Sequence, residues 1–391
     1  MRIAFVIPYF YPALGYGGAP RLAYDMAQTL AHRGHDVVVL TTDTGGEERI
    51  PNEVIERIHN NGLDGIRILF YRNLSNALAY RHRLFFPTRF FREVQAQMKG
   101  VEIVHIHDLR SLLSVASHRA ARTLGIPYVL SPHGGLPRLG KESAKIVFDT
   151  LWGKSILRDA AALCAISPME ENDAKRWGIH TERIHPFPAA INAGDYRKLP
   201  PRGMFASQWG LQDRKIVLFL GRLHWVKGAD ILIEALSRLS EFTGLHVVLA
   251  GPDDGASNAL QSLVKAKSLE QRVTFTGFLD STHKLRAIVD SEVVVIPSRR
   301  EGFPLALLEA FACQRPVVLT SACDLGSWIE EHRALISFKS EDAEDLALKL
   351  KATLCLPPLL EVTRDARNFV FDRFSLDALA ACAERLYQSL I

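Results

Sequence analysis

Val293-Val294-Val295-Ile296-Pro297-Ser298-Arg299-Arg300-Glu301-Gly302-Phe303-Pro304-Leu305-Ala306-Leu307-Leu308-Glu309-Ala310 runs from four β-branched residues through a glycine and a proline into leucines at helical spacing. The first four suit a strand buried on both faces. Gly302 permits a tight turn, Pro304 suits the first helical turn, and Leu305, Leu308 and Ala312 can face a core. A helix so placed aims free backbone N–H groups and its positive dipole end at the strand's carboxyl end, where a phosphate is favoured. Glu301 stands at that mouth and Glu309 follows eight residues later. At helical rise they are at most about 12 Å apart, roughly the length of a sugar diphosphate. The same pattern also describes a helix with an acidic amino end and a solvated second glutamate.

Outward from this unit, short β-branched runs alternate with helix-period segments, the pattern of parallel sheets wound by right-handed crossovers. Strands are expected at 2–7, 36–42, 101–106, 127–131 and 161–166 in the first half, and at 215–220, 245–250, 272–276, 292–296 and 316–320 in the second. The helix after Pro20 carries Leu22, Met26 and Leu30 on one face and Gly34 at its end. A proline-dense stretch from His185 to Gly203 separates the halves and reads as a hinge linker. Two Rossmann-like domains follow, with a cleft expected where the carboxyl ends of their strands face each other.

Length and composition agree. At 391 residues the chain exceeds what one core usually supports, and 48% hydrophobic with 23% charged residues excludes disordered, collagenous and coiled-coil classes. A formal charge of +4 is too mild for a dedicated nucleic-acid binder. The five cysteines are odd in number and widely spaced in apolar stretches, as reduced core thiols would be. No apolar run is long enough to span a bilayer, and Pro8 and Pro12 interrupt the apolar start, so an export signal is not expected.

Three further constellations carry chemistry. Gly221-Arg222-Leu223-His224-Trp225-Val226-Lys227-Gly228 follows the strand 215–220, so that Arg222 and Lys227 can converge on one anion, the arginine as a fork and the lysine as a point charge. A basic surface loop would look the same. Gly15-Tyr16-Gly17-Gly18 leads into the first helix without matching the dinucleotide fingerprint, and serves a close ligand approach or an ordinary turn equally well. His105, His107 and Asp108 end one strand, and Ser131-Pro132-His133-Gly134-Gly135 ends the next. A metal site on His105 and His107 lacks further ligands at fixed spacing.

Together these residues resemble the family 4 retaining glycosyltransferases, whose GT-B fold sets two Rossmann-like domains face to face. The resemblance rests on G-R-x-x-x-x-K-G followed by E-x7-E, here Arg222 and Lys227 upstream of Glu301 and Glu309. It implies an N-terminal acceptor-side domain of residues 1–190, completed by a C-terminal helix at 374–391, and a donor-side domain of 191–373. It implies transfer of a hexosyl-type group from a nucleotide-diphosphate sugar to a lipid-linked acceptor or a growing surface glycan. Arg222 and Lys227 would hold the diphosphate, Glu301 the sugar hydroxyls and Glu309 the ribose. Phe303 and Leu305 would belong to the same donor cradle. Gly18 would lie against diphosphate or acceptor, His133 would approach the transferred sugar, and Gly277 would stand where backbone contacts the base. No cofactor is implied, and no D-x-D stands where a donor-bound metal would need it. Pro304 replaces a glycine common after E-G-F, and Pro188-Ala189-Ala190-Ile191-Asn192 stands where an N-G-V-D-like turn is usual.

The acceptor side is marked by eight Lys/Arg between Arg57 and Gly100 against Asp64 and Glu93, interleaved with Phe85, Phe86, Phe90 and Phe91. Such a stretch suits an anionic membrane surface, or a solvated helix with a core-facing aromatic stripe. The expectation is a cytoplasmic enzyme, peripheral at the inner membrane face under the first reading. Two alternatives share these motifs: a non-catalytic nucleotide-sugar-binding module and a nucleotide-sugar epimerase on the same fold.

Overall fold

The structure is a computed structural model that describes all residues except 14–17, 47, 139–141, 324, 326–333 and 356–359. Gly15, Tyr16 and Gly17 thus lie outside the described residues. The chain forms two compact units, Met1–Pro188 with Leu376–Ile391, and Ala189–Ser375.

The first unit holds a parallel sheet of β1 (Arg2–Val6), β2 (Asp36–Thr42), β3 (Ile66–Tyr71), β4 (Ile103–His107), β5 (Tyr128–Ser131), β6 (Ala162–Ala165) and β7 (Ile184–Pro186), in the order β3-β2-β1-β4-β5-β6-β7. The second holds β8 (Lys215–Leu220), β9 (Leu245–Ala250), β10 (Val273–Gly277), β11 (Ser291–Ile296), β12 (Val317–Thr320) and β13 (Leu335–Phe338), in the order β10-β9-β8-β11-β12-β13. Each is a doubly wound fold whose order reverses once, between β1 and β4 and between β8 and β11. The chain departs from the two sides of the sheet at such a point and leaves a crevice at the carboxyl ends of the strands.

The β-branched run of β11 is continuous because both faces are covered. Val294 and Ile296 pack into one cluster with Leu307 and Phe311, while Val293 and Val295 pack into another with Leu232 and Leu346. All ten expected strands are present. The three not expected, β3, β7 and β13, each lie at a sheet edge.

The proline-dense stretch is more ordered than a linker. It contains β7, the helix Gly194–Arg197, and Ile191, whose amide bonds to the Phe374 carbonyl at 2.9 Å. The helix Met204–Trp209 has no side-chain cap of its own, but the Asp290 carboxylate accepts the amides of Gly203, Phe205 and Ala206 at 2.6–2.9 Å. The final helix, Leu376–Leu390, belongs to the first unit, where Glu384 takes both Arg33 (2.7 Å) and His35 (2.8 Å). No described helix is long and apolar enough to cross a membrane. Cys164, Cys313 and Cys323 are buried, whereas Cys355 is exposed and is no core thiol.

Candidate active site

At the β8–β11 switch point two loops are fastened together. Arg299 donates to both carboxylate oxygens of Asp230 (2.9 and 2.6 Å) and to the Trp225 carbonyl (2.8 Å), and its guanidinium lies over the Trp225 ring at 4.9 Å. Gly228 is needed where they meet. Its φ is +69°, and a Cβ there would stand 2.1 Å from the Pro297 carbonyl oxygen. Gly251 plays the same part between β8 and β9, where a Cβ would lie 1.9 Å from the Gly221 oxygen.

This fastening sets Lys227 against Glu301. The ammonium donates to Glu301 Oε2 at 2.5 Å, and the Ser298 hydroxyl reaches the same oxygen at 3.2 Å. Both side chains are largely shielded, 26% and 16% exposed. The helix that follows, Leu305–Ala312, begins after Pro304, which sits before the first turn rather than in it, and carries no side-chain cap. The Leu307 amide bonds to the Pro304 carbonyl at 3.1 Å, which leaves the amides of Leu305 and Ala306 available to an anion.

Glu309 is buried rather than solvated. Its Oε1 accepts from Lys284 Nζ at 2.5 Å and from the Tyr196 hydroxyl at 3.2 Å. Burial and this carboxylate push the Tyr196 phenol well above its usual range. Arg222 is the more exposed cation and pairs with Asp254, not with the partner of Lys227. Expected to act together, the two cations occupy separate ion pairs. Phe303 is buried and stacks on Phe374 at 5.4 Å, which leaves its backbone rather than its ring for a ligand, and Leu305 is half-buried. Gly277 ends β10 with φ +68° and open space around it, beside an exposed Phe278.

The first unit has a different kind of site at the ends of β4 and β5. His133 Nε2 and His107 Nδ1 are hydrogen-bonded at 2.9 Å, and His107 stacks on His105 at 4.1 Å. His105 reaches the Tyr387 hydroxyl (2.6 Å) on the final helix and the Ser131 hydroxyl (2.7 Å). Burial pulls the imidazoles down, His105 to about 3 and His133 to about 4, so all are neutral at physiological pH. Both nitrogens of His105 are thus engaged in hydrogen bonds.

The backbone at His133 (φ +52°) and Gly134 (φ +77°) is held from two sides. Glu170 accepts the Gly134 amide at 2.6 Å and the Ile166 amide at 2.9 Å, and burial raises its carboxyl to about 7. Arg110 donates to the Gly135 and Leu136 carbonyls while gripping Asp149 through two bonds of 2.9 Å, and Arg138 donates to the same carboxylate at 2.8 Å. Gly18 opens the first helix with nothing within 4 Å of its Cβ position.

Sequence reasoning missed the supporting residues. Arg299 and Asp230 flank the two motifs and were within reach of a charge-pairing argument. Tyr196, Lys284, Glu170 and Asp149 carry no local signal, because what matters is their partner far along the chain.

Comparisons with known proteins agree with this architecture. A family model described as "Glycosyl transferases group 1" matches residues 205–367, and one described as "Glycosyl transferase 4-like domain" matches residues 17–190. Alpha-D-kanosaminyltransferase of Streptomyces kanamyceticus is 27% identical over 300 residues, covering 73% of this chain and 77% of its own. The phosphatidylinositol N-acetylglucosaminyltransferase gpi3 subunit of Schizosaccharomyces pombe is 24% identical over 351 residues, covering 89% of this chain and 72% of its own. In fold, the chain is similar to Anabaena HepE, solved with UDP (TM-score 0.80, 17% identity, 100% of both chains), and to sucrose-phosphate synthase of Thermosynechococcus elongatus (0.77, 21%, 100% and 98%). Two parallel switch-point sheets and these matches, the two family models together running over residues 17–190 and 205–367, place the chain among the family 4 glycosyltransferases of GT-B fold.

Proposed function

We propose that this enzyme moves a sugar, with retention of configuration, from a nucleotide-diphosphate donor to a lipid-linked or surface-glycan acceptor. The observation that carries the reading is the Lys227–Glu301 pair beside the uncapped amino end of Leu305–Ala312. Breaking the bond from the anomeric carbon to the phosphate oxygen puts negative charge on the diphosphate and positive charge on the sugar ring. Lys227, Arg222 and the helix amides stabilise the former, while Glu301 takes sugar hydroxyls and balances the ring. Glu309, positioned by Lys284 and Tyr196, takes the ribose. Phe303 and Leu305 contribute backbone to the cradle, Gly277 a base contact, and Gly18 a diphosphate or acceptor contact. The acceptor oxygen bonds to the anomeric carbon on the face the phosphate leaves, and its proton passes to the departing phosphate oxygen. His133, neutral and clamped, is the first unit's group for the transferred sugar. No metal is required in this scheme, because the cations and helix amides supply the positive charge.

A uracil nucleotide is the first candidate donor, supported by a GT-B relative in fold that was solved with UDP. Names of relatives that act on a phosphatidylinositol support a lipid acceptor, and we place the enzyme at the cytoplasmic membrane face through residues 57–100. Transferase membership favours this over a non-catalytic binding module or an epimerase. The test is release of nucleoside diphosphate as a function of acceptor. Release only with acceptor supports transfer. Lys227→Ala and Glu301→Ala should each lower it about 100- to 1,000-fold with the fold intact; an active, folded double variant sinks the assignment.

A further inference from the structure

β3 is the outermost strand of the first sheet, and its free edge floors a cavity of about 530 Å³, a volume typical of small-molecule sites. The helix Asn52–Asn61 lines one side with His59, and the helix Phe90–Gln97 lines the other with Glu93 and Gln97. Arg72 and Arg89 line it as well. Both side chains are exposed, and neither guanidinium has a hydrogen-bond or ionic partner among the described residues, so both are available to a ligand in the cavity. Arg89 also holds φ +65°, a conformation that suits glycine or asparagine better.

The floor is open in the same place. The Tyr71 carbonyl accepts the Asp43 amide on the β2 side at 3.1 Å, so strand alternation turns the peptide groups of Ile66, Ile68, Phe70 and Arg72 toward the edge. Ile66 closes on Leu63 at 2.8 and 3.2 Å, and the Arg72 carbonyl accepts the Thr88 amide at 2.8 Å. Between these closures, the outward groups of Ile68 and Phe70 have no protein partner among the described residues. Two unpaired cations, a carboxylate and open amides together suit a phosphate joined to hydroxyls. An apolar rim adjoins them. The Leu74 amide bonds to the Phe86 carbonyl (2.9 Å) one step beyond Arg72 and Thr88, and Leu74, Phe86 and Phe91 are 69%, 38% and 46% exposed.

We propose that this cavity binds the phosphodiester of a phosphorylated polyol, with Arg72 and Arg89 on the phosphate and Glu93 with Gln97 on the hydroxyls. The same chemistry is offered by a phospholipid headgroup or by a soluble phosphopolyol. Only the lipid source rests on the membrane reading above.

The test uses the whole chain, glycerophosphoinositol as soluble probe, and phosphatidylcholine vesicles with and without phosphatidylinositol. Calorimetry should show that Arg72→Ala with Arg89→Ala weakens the soluble probe about tenfold or more. The charge-matched pair Arg81→Ala with Arg92→Ala, exposed like Arg72 and Arg89 but outside the cavity, should change it less than about twofold. Vesicle binding that requires phosphatidylinositol and is competed by the soluble probe identifies a lipid source. Probe binding without vesicle binding supports the cavity and removes the membrane reading. Equal losses from the two pairs, or no binding of either probe, overturn the proposal. Because no arm measures sugar transfer, its failure is separable from failure of the transferase assignment.

Discussion

The β8–β11 mouth and the β4–β5 mouth lie at the carboxyl ends of adjacent strands in two similar folds, the former at its sheet's switch point and the latter one strand beyond, yet they hold their functional groups by opposite means. At β8–β11 the groups are charged and paired with each other, Lys227 with Glu301, Lys284 with Glu309 and Arg222 with Asp254, each at least partly open to solvent. At β4–β5 the imidazoles are neutral and buried, and the acidic residues lie behind the loop: Glu170 accepts the Gly134 amide, and Asp149 holds Arg110, which donates to the Gly135 and Leu136 carbonyls. Ion pairs with some access to solvent cost less to open than fully buried ones and exchange more readily for a ligand's charge. Buried charges tied to backbone are costly to disturb and fix geometry. We therefore read the second mouth as the one that captures an anion and the first as the one that presents an orientation.

That contrast breaks most visibly at Asp149. Its carboxylate is fully buried under Arg110 and Arg138, so Asp149→Ala leaves a guanidinium uncompensated and should cost about 3–5 kcal/mol. Denaturant titration of the full chain checks this. A loss below about 1 kcal/mol, the level of a surface pair, would erase the distinction between the two mouths.

Glu170 should give the first unit a characteristic pH dependence. Its folded pKa is raised from 4.5 to about 7, so the stability that its protonated form contributes is present below about pH 4.5 and lost as pH rises through 7. The span corresponds to about 3 kcal/mol at most. His105 and His133 run the other way. Their folded values lie below 6.5, so their contribution is present above that pH and lost as pH falls toward 4 and then 3. Glu170→Gln should remove the first trend and leave the second, as read by amide exchange in β4 and β5 across pH 4 to 8.

Gly228→Ala tests the fastening of the second mouth. The left-handed φ and the approach to the Pro297 oxygen predict a loss of about 1–3 kcal/mol, with donor affinity falling in parallel. An alanine accepted at no cost would mean that the two loops are not held together there. The smallest effect is expected for Arg299→Lys. It keeps the charge but loses the bidentate fork to Asp230, and should weaken nucleoside diphosphate binding about tenfold while melting changes little.

The same contrast explains what the sequence made legible. Interior strands such as β8 and β11 announce themselves because both faces are covered, which forces continuous apolar runs. β3 interrupts its run with Arg67, β7 has only three residues and ends in a proline, and β13 is also short; all three are edge strands with weaker demands. The charged mouth was legible because its residues lie close together in two motifs. The neutral mouth was only half legible. His133 stood out between Pro132 and Gly134, but Glu170, Asp149 and Tyr387 meet their partners across 36, 11 to 39 and 282 residues of chain, contacts that no local pattern announces. The four phenylalanines of the basic stretch divide as neither simple reading expects, with Phe85 and Phe90 buried and Phe86 and Phe91 exposed.

The account stands most directly on where a diphosphate binds. A structure of the chain with a nucleoside diphosphate should place phosphate oxygens at about 3 Å from Lys227 Nζ, the Arg222 guanidinium and the first amides of Leu305–Ala312, with the Lys227–Glu301 and Arg222–Asp254 pairs opened to receive it. A diphosphate bound elsewhere, with both ion pairs intact, would contradict it.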